Sequence, residues 1–320
     1  MSETSIWDRY WQFDRIASCF DGAGAGNYDA CVADGWRAFF SALPEGARIL
    51  DLCTGNGAAA LIAAEVGRQG GKGFEIHAVD QADIDPPAHV TRHADELAAI
   101  AFHGGTGVEA LPFPDGRFDA AVSQYGIEYA ELERALPEAV RVLAPGGRLR
   151  LVVHATDGSV AAGARAVIAE ADALLDEIDL PGCASRCFAA LWAVEREGAA
   201  ERETADSAFA AFQDALARTA GRIAQARDPT MFKNSGAVLL DTFQRRGHFD
   251  LDQLLAKPAE IEAEVRAHRG RLVALVEAAL DSAQAAALAK RLRDSGAEAD
   301  SFALRNGAEL IGHVIEARFP

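Results

Sequence analysis

The sequence predicts an α/β fold: a mostly parallel seven-stranded sheet with helices on both faces, and an all-α insertion between strands five and six. Three observations carry this expectation. From about residue 45 to 155, short apolar runs alternate with helical stretches, the pattern of a parallel sheet wrapped by helices. From about 158 to 282 no strand pattern is visible, and Ala- and Leu-rich stretches place apolar residues at three and four spacing. Strand character then returns on either side of Asn306-Gly307, a strong hairpin dipeptide.

Taken in order, the N-terminal stretch carries Trp7, Tyr10, Trp11, Phe13 and Tyr28. At helical spacing Trp7, Tyr10 and Trp11 share one face, which suits a flap over a ligand or plain packing alike. ARILDLC (47–53) reads as the first strand, then the turn TGNG and an Ala-rich helix through Arg68. FEIHAVD (74–80), AIAFH (99–103) and FDAAVSQ (118–124) read as strands two to four. ELERALPEAVRVL (131–143) is a helix and GGRLRLVVHA (146–155) the fifth strand. Helical patterns follow at 166–178, 207–226 and 261–280, with breaks expected at Pro181-Gly182, Asp228-Pro229 and Lys257-Pro258. A helix over 283–296 and a hairpin of 299–305 with 308–319 complete the sheet. The expected division is a helical flap at 1–45, a ligand-binding core at 46–157, a helical insertion at 158–282, and a completing helix and hairpin at 283–320.

The formal net charge is -17, with 48 acidic against 31 basic residues. Nucleic-acid binders draw most of their affinity from Lys and Arg on phosphates, so nucleic acid and anionic membrane surfaces are poor partners here. No apolar run approaches the roughly 18 residues of a membrane helix, and a cytoplasmic location is expected. The five cysteines, Cys19, Cys31, Cys53, Cys183 and Cys187, are expected as reduced thiols. Cys183 and Cys187 lie one helical turn apart, but without a second ligand pair they point to structure and not to a metal.

The chemistry centres on DLCTGNG (51–57). A strand running into a Gly-rich turn and a helix brings backbone N–H groups close to a ligand. Gly55 and Gly57 let that ligand approach without a Cβ in the way. Gly55-Asn56-Gly57-Ala58-Ala59-Ala60 also fits the dinucleotide pattern, with Asp80 about 20 residues on, so an NAD-dependent oxidoreductase stays open. Asp51 weighs the other way, because a carboxylate at the strand end attracts an amino group and repels a pyrophosphate.

Together DLCTGNG, the acid in AVDQ, LPFPDGRFD (111–119) and RVLAPGGRL (141–149) resemble the class I S-adenosylmethionine (SAM)-dependent methyltransferases of the small-molecule, UbiE-like type. The resemblance covers about residues 45–155 and, more weakly, the last 35; it leaves the helical insertion uncovered. It implies a Rossmann-like core and SAM as cofactor, with S-adenosylhomocysteine as product. Asp51, Thr54, Gly55 and Gly57 would hold the methionine part, with Cys53 and Asn56 in the same turn. Asp80 would take the ribose hydroxyls and Gln81 would lie along the adenine. Two departures stand out. Gly107, followed by Val108, occupies the place of the family's adenine-pairing acid, so the adenine must be read by backbone or by a side chain from elsewhere. Cys53 replaces a common Gly.

Ligands bind at the carboxyl ends of the strands of an open parallel sheet. That places Gln124 and Tyr125 beside the sulfonium, where a Tyr ring or oxygen suits cationic character. Tyr125, His154 and Glu128 are the candidate catalytic residues, the latter two as bases where the acceptor must lose a proton. Tyr10, Trp11 and Tyr28 are candidates for the acceptor side. No Asn-Pro-Pro-Tyr motif and no Pro-Cys dipeptide is present, which favours a small-molecule acceptor. Two other classes stay open: the oxidoreductase, and a non-catalytic SAM-binding protein whose helical insertion serves as a partner or homodimer surface.

Overall fold

The computed structural model describes residues 3–18, 27–28, 30–196 and 202–320; Cys19 falls outside them. Helices α1 (Glu3–Trp11) and α2 (Ala30–Ser41) precede β1 (Arg48–Leu52). Then come α3 (Ala58–Gln69), β2 (Glu75–Val79), α4 (Pro86–His89), α5 (Ala94–Ala98), β3 (Ile100–His103) and β4 (Phe118–Gln124). Helix α6 (Leu132–Arg141) leads into β5 (Leu143–Val153). The chain next runs through α7 (Ser159–Asp172), α8 (Leu180–Arg196), α9 (Arg202–Arg222), α10 (Pro229–Gln244) and α11 (Leu251–Ala278). Helix α12 (Ser282–Asp294), β6 (Glu298–Asn306) and β7 (Glu309–Arg318) close it.

The described strands form one seven-stranded sheet in the order β3-β2-β1-β4-β5-β7-β6. All neighbours from β3 to β5 are parallel, and β7 runs antiparallel to both β5 and β6. Side-chain parity explains the layers, since alternate residues of a strand face opposite sides. Ile49, Ala120, Val122, Val152 and Val314 join one apolar cluster with residues of α2 and α3. Leu50, Leu52, Ala121, Leu149, Leu151, Val153 and Ile315 join another with residues of α6 and α12. Both faces are therefore covered, as near-continuous apolar strands require.

Chain order reverses at the centre. From β1 the chain steps outward to β2 and β3, then returns to place β4 on the other side of β1. The loops after β1 and β4 consequently diverge and leave a crevice at their carboxyl ends, the usual ligand position in open α/β sheets.

Two compact units are present: residues 1–162 with 274–320, and residues 163–273. The second has its own core, in which Leu174, Phe188, Phe212, Phe232 and Leu239 are buried. In the first, the chain segments before α7 and after α11 meet: Leu280 N–H donates to His154 O at 2.9 Å and Thr156 N–H to Leu280 O at 3.0 Å. Thr156 Oγ1 adds a bond to Ala279 O at 3.0 Å.

One expected break is absent. Pro258 lies inside α11 instead of ending a helix at Lys257. A mid-helix proline forfeits one backbone bond and costs roughly 3 kcal/mol. Here Leu254, Ile261 and Val265, on both sides of it, are buried in one cluster, and that continuous apolar stripe holds the helix together. The Asn306-Gly307 hairpin forms as expected, with Gly307 at φ +60°. Among the described residues no helix is long and apolar enough to cross a membrane.

Candidate functional site

The ends of β1, β2 and β4 converge on one cavity of about 340 Å³, within the usual range for small-molecule sites. Its wall includes Cys53, Asp80, Gln81, Val108 and Tyr125, with Glu109, Glu128, Tyr129, Trp7 and Trp11. Ala274, Glu277 and Ala278, at the end of α11, complete it. A larger crevice of about 870 Å³ lies between the start of β4 and the end of β7, lined by Asp119, Arg148 and Arg318 among others, away from the glycine turn.

The turn after β1 is built around two carboxyl groups, the buried Asp51 and the half-buried Asp80. Asp80 Oδ2 accepts from Gly55 N and Oδ1 from Ala82 N, both at 2.8 Å. Each oxygen retains a second lone pair that can face a ligand. Burial raises the Asp80 carboxyl above its ordinary range, against the pull of those two bonds. Asp51 stands behind the cavity wall: its Oδ2 accepts from Thr54 Oγ1 at 2.7 Å and from Ala60 N at 3.1 Å. Burial pushes its carboxyl up to about 7, opposed by these bonds and reinforced by the nearby Asp80 charge.

That shift has a definite sign. A carboxyl whose folded value exceeds its unfolded value of about 3.9 favours the native state in its protonated form. The contribution is full below about pH 4 and is lost as pH rises through about 7. Asn at this position keeps the acceptor for Thr54 and Ala60 and removes the charge. Asp51→Asn should thus raise the melting temperature of the ligand-free protein strongly at pH 8 and change it far less at about pH 4. Equal shifts at both pH values would show that the charge is not what costs stability.

Strain collects at the strand ends. Cys53 after β1 and Tyr125 after β4 both have φ +54°, a left-handed conformation uncommon for residues with a Cβ. The Tyr125 hydroxyl donates to Ile311 O at 2.9 Å, and its ring stacks on His154 with centroids 4.2 Å apart. These contacts hold the kink. Between the two lies Gly126, where an added Cβ would stand 2.5 Å from Cys53 Cβ and 2.8 Å from Cys53 O. Because the second obstacle is backbone, Gly126→Ala must separate the tips of β1 and β4. Its expected cost is about 1–3 kcal/mol, read as a lower urea midpoint at unchanged slope.

Glu128 and His154 form a buried pair. Glu128 Oε1 accepts from His154 N at 2.9 Å and meets His154 Nδ1 at 2.7 Å. A carboxylate only accepts, so an ionised Glu128 requires the proton on Nδ1. Glu128 Oε2 is buried without a hydrogen-bond partner, and Glu128 lines the cavity.

Several expected residues sit elsewhere. Asn56 is fully buried and its Nδ2 donates to Trp11 O at 3.0 Å and Arg15 O at 2.8 Å, tying the N-terminal segment to the glycine turn. Gln124 is buried, accepts from Trp36 Nε1, and is not among the lining residues. Thr54, Gly55, Gly57, Gly107 and His154 are likewise not among the lining residues. Trp11 lies against Gly55, where an added Cβ would come within 2.4–2.7 Å of its ring. Of the acceptor-side candidates, Tyr28 packs edge-on against Tyr125 at 6.2 Å, and the Tyr10 hydroxyl donates to Ser18 O at 3.3 Å. Among the acidic and aromatic lining residues, Glu109, Tyr129 and Glu277 had no role assigned from the sequence, and Trp7 stood only on the face of the expected flap. Glu109, two places after Gly107 and two before Leu111, and Tyr129, next to Glu128, both stood beside residues already singled out.

Residues 49–147 match the family model described as a methyltransferase domain. Over 105 residues the chain is 43% identical to the demethylmenaquinone methyltransferase of Thermus thermophilus, covering 32% of this chain and 44% of that protein. It is 41% identical over 103 residues to the ubiquinone/menaquinone biosynthesis C-methyltransferase UbiE of Methylobacterium nodulans, covering 32% of this chain and 39% of the relative. The chain thus spans less than half the length of these curated relatives. Geranyl diphosphate C-methyltransferase from Streptomyces coelicolor, solved with Mg2+, geranyl diphosphate and S-adenosyl-L-homocysteine, aligns over 48% of this chain and 66% of its own. Its sequence identity is 17% and its TM-score 0.35.

Proposed function

We infer, from the match of residues 49–147 to a methyltransferase-domain family model and from the cavity at the strand ends, that the protein is a class I SAM-dependent methyltransferase that transfers the methyl group of SAM to a small-molecule acceptor by in-line displacement. One observation carries the reading. The residues that line the cavity include four acids, Asp80, Glu109, Glu277 and Glu128, the last with its side chain buried, and the aromatic residues Trp7, Trp11, Tyr125 and Tyr129. No Lys, Arg or His is among its lining residues. Carboxylates and electron-rich ring faces favour a cationic ligand, and SAM carries a sulfonium and an α-amino group. The same wall opposes the pyrophosphate of NAD, which counts against the oxidoreductase alternative.

When bound, SAM supplies an electrophilic methyl group whose bond to sulfur breaks as the bond to the acceptor forms. Asp80 holds the ribose hydroxyls, and Gln81, Ala82 and Val108 flank the adenine. Tyr125, Tyr129 and Trp7 surround the sulfonium end and exclude water. Glu128 Oε2 takes the proton that the acceptor gives up, and His154 orients that carboxylate from behind. Tight positioning accounts for most of the rate gain. Within the 158–282 stretch, the end of α11 contributes cavity wall at Ala274, Glu277 and Ala278, which supports a role in acceptor binding. The 1–45 segment, through Trp7 and Trp11, acts as the flap. A cytoplasmic location belongs to the same reading.

Calorimetric titration of the purified chain with S-adenosylhomocysteine, with NAD as the comparison, tests the cofactor. Micromolar binding of the first and none of the second is expected; the reverse pattern would sink the reading. Labelled SAM then screens acceptors, beginning with quinols because the two matched relatives are named for quinone biosynthesis.

A further inference from the structure

We propose that Glu109 reads the 6-amino group of the adenine ring, taking the place of the acid that Gly107 lacks. This rests on the SAM reading above and assigns a specificity-determining residue within it.

The argument starts from the floor beside Asp80. Ala82 and Val108, 2% and 3% exposed, line the cavity together with Asp80 and make its wall apolar there, as the faces of a purine require. Glu109 follows Val108 directly and lines the same cavity. Its direction is fixed, because Oε1 accepts from Glu131 N at 3.1 Å. Its other oxygen, Oε2, lies 3.0 Å from the point where a Cβ on residue 107 would stand. A side chain at 107 would therefore have to push that carboxylate away. The bare glycine and the displaced acid act as one unit: the space vacated at 107 is occupied by the carboxylate from 109.

The chemistry of the purine edge follows. Ring nitrogens N1, N3 and N7 of adenine accept hydrogen bonds, and the 6-amino group only donates. An ionised carboxylate only accepts. A carboxylate at this wall consequently takes a 6-amino purine and repels the 6-oxo group of hypoxanthine. Discrimination is strong where a site's charged acceptor would otherwise meet another acceptor.

Calorimetry with S-adenosylhomocysteine and its deaminated analogue S-inosyl-L-homocysteine tests this without knowledge of the methyl acceptor. The wild-type chain should prefer the adenosyl compound by about tenfold or more. Glu109→Gln, whose amide both donates and accepts, should bring the two affinities within about threefold of each other. Glu109→Ala should weaken the adenosyl compound and spare the inosyl one. Equal weakening of both ligands in Glu109→Ala would assign Glu109 only to bracing the Glu131 backbone and overturn the proposal. Equal wild-type affinities would overturn it too, with the cofactor reading intact. Failure of the wild-type chain to bind either ligand would instead remove the SAM reading on which it stands.

Discussion

Replacing Asp80 with alanine should lower the affinity for S-adenosylhomocysteine at least about a hundredfold while the chain still folds. A hydrogen bond to a charged group contributes about 1.5–3 kcal/mol. Two ribose hydroxyls on one carboxylate therefore amount to about 3–6 kcal/mol, or two to four orders of magnitude. The substitution also removes the acceptors of Gly55 N and Ala82 N, so the glycine turn loses its anchor to the end of β2. Ala82 lines the cavity, where water can replace the oxygen its N–H loses, and the single Gly55 N–H left without its acceptor costs about 1–3 kcal/mol. The melting temperature should fall by only a few degrees. Calorimetry gives the affinity and a thermal melt gives the fold. Wild-type affinity in a folded Asp80→Ala chain would exclude Asp80 from the ligand and, with it, the assignment of the cavity to SAM.

A second large effect is expected at Glu128. Glu128→Gln preserves shape and keeps an oxygen toward His154, but the amide cannot accept a proton at neutral pH. With the acceptor found by the labelled-SAM screen, kcat should fall about a hundredfold or more. Affinity for S-adenosylhomocysteine should stay within about threefold, because the proposed role of the carboxylate is toward the acceptor and not toward the ribose or the base. The split between turnover and cofactor affinity separates a proton-accepting role from a structural one. A loss confined to cofactor binding would move Glu128 to the sulfonium and leave the displacement without a base.

Much of the sheet was legible because each strand carries its own signal. FDAAVSQ is apolar enough to be buried on both faces, and it forms β4 at Phe118–Gln124 as read. Asn306-Gly307 marked the hairpin because the turn needs a left-handed residue and only local sequence decides that. Pro258 misled for the opposite reason. A proline is a local signal, and the burial of Leu254, Ile261 and Val265 that overrides it is tertiary. The cavity divides in the same manner. Asp80, Gln81 and Val108 follow strand ends, so topology alone points them at the crevice. Whether Asn56 turns toward a ligand or back to the carbonyls of Trp11 and Arg15 depends on where the N-terminal segment lies. Glu277 is remote in sequence from every motif, and nothing near it announces a wall. Glu109 was hidden by its neighbour: the eye stops at the missing acid of Gly107 before asking what stands in the space.

The meeting of Thr156 with Leu280 and Ala279 bears on how such a chain can change over evolutionary time. Because the segments before α7 and after α11 are already hydrogen-bonded to each other, the chain between them is a detour whose ends need no further closing. Lengthening a closed detour adds only a slowly growing entropy cost, about 0.6 kcal/mol per doubling. The register of β5 with β7 and the buried His154–Glu128 pair lie outside it. A lineage can therefore trade one helical segment for another of different length and leave the seven-stranded sheet and the turns at its strand ends untouched.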